Sequence, residues 1–249
     1  MTVFNPAPGG GISNGLTFTV IPFISPGGTV NAASFAPGVA VTPGSIASVF
    51  GSGLASAAPG GVTLRMNGIA APLFYVSSGQ INFQVPWELS GQTQASLTAT
   101  VEGVTSATVT VPLAPFGPGI FPVSQAGQGA ILIVNTASLA APEGAFPGSR
   151  PATRGEYISI YSTGLGPVTN QPATGVKASG DPLSLTITTP LVNIGGVPAS
   201  VVFSGMAPGF FGLYQLNVQV PEGAPTGDAV PVVLSIGGET SNTATIAVQ

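Results

Sequence analysis

The sequence predicts an all-β chain: two tandem immunoglobulin-like β-sandwich domains plus an extra N-terminal strand. Three observations predict it. Apolar and polar residues alternate with period two over many short segments, and no segment sustains the 3.6-residue period of an amphipathic helix. Gly and Pro, 36 and 25 of 249 residues, fall between those segments as turn punctuation. The whole pattern then occurs a second time.

The elements follow in chain order. Gly9 to Val20 resembles the chain's own last strand, Gly237 to Val248, and reads as the closing strand of a sandwich that precedes the first copy. An unpaired strand exposes backbone donors and acceptors and needs a partner. Ile12, Asn14, Leu16, Thr17, Phe18, Thr19 and Val20 are therefore expected to form an assembly strand that docks on a sheet edge, in this chain or a neighbour. Strands are predicted at 45–50, 62–66, 72–77, 80–85, 95–101 and 106–112 in the first copy. In the second they are predicted at 129–134, 156–162, 183–188, 191–194, 199–204, 215–220, 230–236 and 242–248. Glu102-Gly103, Gly195-Gly196, Glu222-Gly223 and Gly237-Gly238 mark turns between them.

The repeat sets the domain organisation. Gly44–Leu54 matches Gly155–Leu165, Asn67–Ala71 matches Gly195–Ala199, and Gln80–Pro86 matches Gln215–Pro221. The spacing between matched residues grows in two steps, so the second copy carries two insertions, near 166–182 and near 205–212. The expected units are an N-terminal strand segment over 1–27, a first sandwich over 28–115 and a second over 116–249. Leu113 to Phe121, rich in Pro and Gly with five apolar residues, reads as a packed connection rather than a free linker.

Composition excludes much chemistry. Lys+Arg number 4 and Asp+Glu 8, or 5% charged, against roughly 25% in an ordinary domain. With no His and no Cys, there is no Ser-His-Asp triad, zinc finger or disulfide. A net charge of −4 offers no basic surface to nucleic acid. No apolar run of about 18 residues escapes Gly or Pro, so no membrane span is expected. The N-terminus has neither a basic nor an apolar region of signal-peptide type. Glu102, Glu222, Asp228 and Glu239 sit beside Gly at predicted turns, where solvation explains them, and no two acids are placed as a pair. No catalytic, cofactor or metal site is expected. Lys177, the sole lysine, lies in the first insertion and reads as an exposed solubilising group rather than an isopeptide partner. The aromatic residues Trp87, Phe210, Phe211 and Tyr214 have two readings. As exposed rings near loop tips they are candidates for contact with a carbohydrate or a protein partner; as buried rings they cap a sandwich end or fill the joint, and this second reading weighs more.

Asn31-Ala-Ala-Ser-Phe35, Val41-Thr-Pro-Gly-Ser-Ile46, Phe50-Gly-Ser-Gly-Leu54, Pro72-Leu-Phe-Tyr-Val76, Gln80–Trp87 and Gly205–Gln215 together resemble the uncharacterised C-terminal domain family of acidobacterial (Solibacter-type) secreted proteins, over about residues 28–249. Asn5 to Asn14 is similar to the closing strand of IPT/TIG immunoglobulin-like domains. The resemblance implies a secreted, surface-associated, multi-domain protein and brings no catalytic residues with it. The expectation from the sequence is a non-enzymatic extracellular structural protein that self-associates through strand edges as a homo-oligomer or filament; the alternative is a carbohydrate-binding or adhesion module. Edge strands normally use charges, above all Lys, to prevent pairing, and this chain has almost none.

Overall fold

A computed structural model describes residues 4, 6, 10, 20–55 and 61–249. The first sandwich is built from β1 (Phe23–Asn31), β2 (Ile46–Ser52), β3 (Val62–Met66), β4 (Ile69–Ala70), β5 (Leu73–Val76), β6 (Gln80–Gln84), β7 (Gln94–Val101), β8 (Val104–Thr105) and β9 (Val109–Pro112), with a 3-10 turn at Trp87–Leu89. One sheet has the order β1-β2-β6-β5; the other has β4-β3-β7, with β8 and β9 both on β7. All pairs are antiparallel, and the order is the ABED and CFG arrangement of an immunoglobulin sandwich. Alternate residues point inward, Ala47 and Val49 from β2, Ile81 and Phe83 from β6, Ala95, Leu97 and Ala99 from β7, and close one core between the sheets.

The second sandwich comprises β10 (Gly119–Ile120), β11 (Ile131–Ile133), β12 (Tyr157–Thr163), β13 (Leu191–Ile194), β14 (Val197–Met206), β15 (Tyr214–Gln219), β16 (Gly227–Ile236), β17 (Glu239–Thr240) and β18 (Ala244–Val248). Here β14 is long enough to pair with β13 at one end and β15 at the other, so both faces belong to one continuous path, β10-β12-β15-β14-β13-β16-β17.

The strand pairing carries the repeat residue by residue. Ile46↔Gln84 and Phe50↔Gln80 in the first copy become Tyr157↔Gln219 and Tyr161↔Gln215 in the second. Leu64↔Ala99 becomes Val192↔Leu234, and Leu97↔Val109 becomes Val232↔Ala244. Even the irregularity recurs: a bulge lies between Leu73 and Tyr75 and again between Val201 and Phe203, which makes Phe74 and Val202 counterparts. The strands also begin alike. Phe23 pairs with Ser52 and Gly119 with Thr163, so Pro22-Phe23-Ile24 corresponds to Pro118-Gly119-Ile120, with both isoleucines in the cores.

Three expectations shift. The boundary at 27/28 falls inside β1. Ser25-Pro-Gly-Gly28 reads as a turn, but the chain absorbs it as a bulge between Ile24↔Gly51 and Thr29↔Val49, with Gly27 at a positive φ of 68°. The strand expected over 106–112 begins at Val109, because Ser106 Oγ accepts from Ala99 N at 3.1 Å and donates to Ala107 O, which ends the ladder; Ser241 does the same to Leu234 N and Asn242 O. The strand expected over 183–188 is instead held by single bridges, Val168↔Thr186 and Leu185↔Gly205. Its neighbours lie in or beside the two insertions and offer one bridge each.

Candidate interaction surfaces

The two insertions of the second copy build the joint between the sandwiches. Gly175 N donates to Gln84 Oε1 at 2.7 Å, Trp87 N to Thr174 Oγ1 at 2.9 Å, and Thr174 Oγ1 to Glu88 Oε2 at 2.7 Å. From the second insertion, the Phe211 ring stacks on Phe74 with centroids 4.2 Å apart. Gly212 lies against Ile46. Between strands, Ile46 N donates to Thr163 Oγ1, which donates to Gly212 O, both at 2.8 Å. At the connection, Asn31 Nδ2 donates to Gly117 O at 2.8 Å while its Oδ1 accepts from Ala33 N and Ser34 N.

Trp87 is the centre of this joint. It leaves the first sandwich on the 3-10 turn after β6 and lies in the core of the second, with Leu165, Val168 and Ala178. Its ring covers Gly44, where no larger residue fits. It also lines a cavity of about 330 Å³ with Pro43, Leu113, Pro115 and Pro167. Tyr214 is fully buried, its hydroxyl donates to Gly166 O, and burial pushes its phenol pKa up, so it stays neutral. Thus of the four aromatic candidates, Trp87 and Tyr214 are buried, Phe211 stacks across the joint, and Phe210 is exposed. Gln84, Asn31 and Thr163 lie in motifs that the sequence singles out without marking them as joint residues; Thr174 lies in the first insertion, whose position is the signal that points to it.

In each Gln-x-Asn motif the Asn Oδ1 is held by two neighbours on the sheet. Asn82 Oδ1 accepts from Ser48 Oγ at 2.9 Å and Gln80 Nε2 at 2.7 Å; Asn217 Oδ1 accepts from Ser159 Oγ and Gln215 Nε2, both at 2.8 Å. The predicted assembly residues Ile12, Asn14, Leu16, Thr17, Phe18 and Thr19 lie outside the described residues. Val20 is described: it is exposed and lies beside Gly53. Lys177 is exposed on the first insertion.

The outer strands of the four-stranded sheet, β1 and β5, contain no charged residue and expose Phe23, Phe74, Tyr75 and Val76. Among the described residues, no group of three or more acids is placed to hold a metal, and no helix is long and apolar enough to cross a membrane.

Arg150 and Glu156 form an ion pair. Arg150 Nη1 and Nη2 donate to the two Glu156 carboxylate oxygens at 2.9 and 2.8 Å, and Thr153 N adds a third bond. The Arg150 hydrogen bonds, supported by Thr153, hold the Glu156 carboxyl well below the usual range, at about 2. A depressed carboxylate pKa stabilises the fold above the ordinary value and ceases to do so as pH falls through the folded one. Because about a third of each side chain is exposed, the contribution is about 1 kcal/mol. Glu156→Gln is expected to lower the unfolding free energy measured by urea denaturation at neutral pH by that amount, with the gap closing as pH approaches 2.

No family model matches the chain, and no curated protein matches it. Several solved structures are similar at low identity. A titin I9-I11 tandem is 16% identical, with 84% of this chain covering 62% of it, at a TM-score of 0.23. The surface glycan-binding protein PbSGBP-B from Prevotella bryantii is 12% identical, with 92% of this chain covering 42% of it, at 0.28. Domains 5-6 of the S-layer protein SbsC are 11% identical, covering 91% and 98% of the two chains, at 0.28. The chain therefore spans less than two thirds of the first two. The strand order and register described above are those of two immunoglobulin-type sandwiches in tandem.

Proposed function

We propose that this chain is a non-enzymatic, extracellular structural module of the cell surface that self-associates through its sheet edges into a homo-oligomer or filament. The observation that carries this reading is the pair of uncharged outer strands, β1 and β5, with Phe23, Phe74, Tyr75 and Val76 exposed on them. Open edges present unpaired N–H and C=O groups, and without charges little opposes strand addition. Residues 12–20 supply the added strand, and the edge of β5 on a neighbour takes it. The secreted-protein resemblance of residues 28–249 points to the same compartment.

Sedimentation velocity and negative-stain microscopy of the purified chain test the proposal. Species larger than monomer are expected. Tyr75→Lys puts a solvated cation on the β5 edge and is expected to reduce association about tenfold or more, with the fold intact by circular dichroism. Deleting residues 1–19 leaves β1 whole and is expected to abolish association. A full-length chain that stays monomeric at submillimolar concentration overturns the reading.

A further inference from the structure

The repeat reveals a second docking socket. In the first sandwich, the face that receives the second is made by Gly44, Ile46, Phe74, Gln84, Pro86 and Trp87. Their counterparts in the second sandwich, by the pairing given above, are Gly155, Tyr157, Val202, Gln219, Pro221 and Glu222. The local construction is the same in both. Gln84 Nε2 donates to Gly44 O and Gln219 Nε2 to Gly155 O, at 3.4 and 3.0 Å. Trp87 stands over Gly44, and the Glu222 carboxylate stands over Gly155. In both, the bulge turns one side chain outward, Phe74 or Val202.

The difference lies in what covers them. Gln84 and Pro86 are buried, and Gln84 Oε1 accepts from Gly175 N across the joint. Gln219 and Pro221 are half-buried, Tyr157 and Val202 are 42% and 58% exposed, and no donor among the described residues reaches Gln219 Oε1. The second sandwich carries the socket but not the occupant.

What fills the first socket identifies the counterpart. It is the leading end of the second sandwich: Thr163 meets Ile46 there, and the two insertions add Thr174, Gly175, Phe211 and Gly212. The first sandwich has the corresponding end, formed by Val20 to Ile24 with Ser52 and the loop Ser77–Gly79, and there Val20, Ile21 and Phe23 are 62%, 63% and 53% exposed. Among the described residues, the chain thus presents a socket at one end and an exposed apolar plug at the other.

We propose that the second sandwich of one copy receives the leading end of the first sandwich of a second copy, so that copies join head to tail. Such a contact is heterologous and, unless the rotation closes a ring, it propagates. It differs from the internal joint in two respects. The leading end lacks the two insertions, and Glu222 replaces the tryptophan that anchors the internal joint, so the contact between copies is weaker and reversible. This proposal rests on the self-association proposed above and adds a second contact to the strand addition; copies stay joined only where both contacts form, so losing either leaves monomers.

Mixing variants tests it. Val202→Arg disables the socket and Ile21→Arg the plug. Each variant alone is expected to lose species larger than monomer. An equimolar mixture is expected to give a dimer and nothing larger, because only one competent socket and one competent plug remain per pair. Val202→Phe with Glu222→Trp restores the residues of the first socket and is expected to tighten association about tenfold. If the unmodified chain is monomeric, the self-association reading falls and this site with it. If it associates and both Arg variants associate equally well, only the socket is overturned. Higher oligomers in the mixture likewise overturn it. Near-ultraviolet dichroism of each variant confirms that its sandwiches are folded.

Discussion

Trp87→Ala is expected to cost about 3–5 kcal/mol and to split thermal unfolding into two transitions. The side chain belongs by sequence to the first sandwich and by packing to the core of the second, so its loss opens a cavity in that core at the joint. The removed ring also uncovers Gly44 and enlarges the cavity lined by Pro43, Leu113, Pro115 and Pro167. Differential scanning calorimetry reads the result directly: one cooperative transition for the parent chain, two for the variant, the second sandwich melting earlier. A single transition with a loss below about 1 kcal/mol, the size expected of a surface site, would show that Trp87 does not carry the coupling between the sandwiches.

Gly164→Val is expected to destabilise by about 2–5 kcal/mol, from two sources. Gly164 has a φ of +81°, which a β-branched side chain adopts only with strain. A β-carbon there would also run into the Gly117 carbonyl, where the connection between the sandwiches lies against the end of β12; Gly117 N donates to Gly164 O at 3.0 Å. Gly196→Val is the matched comparison. Its φ of +83° imposes the same strain, but open space surrounds the site. Chemical denaturation of both separates the steric part from the conformational part, and Gly164→Val is expected to lose about 1–3 kcal/mol more.

Much of this architecture is legible in the residues because each strand satisfies its own rule. Gln80-Ile-Asn-Phe-Gln84 alternates, and its apolar members face the core while the Gln80 and Asn82 amides bond to each other along the strand. The matched glycines and the matched Gln-x-Asn motifs carry the repeat, and the register shows both copies pairing alike. What local pattern does not carry is decided by tertiary context. Ser25-Pro-Gly-Gly28 has turn composition yet lies within β1, because Ile24 and Val30 on either side have core positions to fill. Leu183, Leu185 and Ile187 alternate like a strand, but single bridges to Val168 and Gly205 replace a continuous ladder. Trp87 reads as a contact ring or, with more weight, as a buried anchor, and the bond to Thr174 that fixes it at the joint is hidden from any window of sequence by their separation in the chain.

The bonds across the joint link residues far apart along the chain: Asn31 to Gly117, Ile46 to Thr163, Gln84 to Gly175. Long-range contacts of this kind form late, since the loop-closure entropy is lost before they contribute. During synthesis the first sandwich is complete once β9 has emerged, well before either insertion exists. The face around Gly44, Ile46 and Gln84 is then a finished template on which the second sandwich closes. The order of birth of the two repeats therefore matters to the folding pathway: a circular permutant that made the second sandwich first would have to shape its two insertions without the surface that holds them.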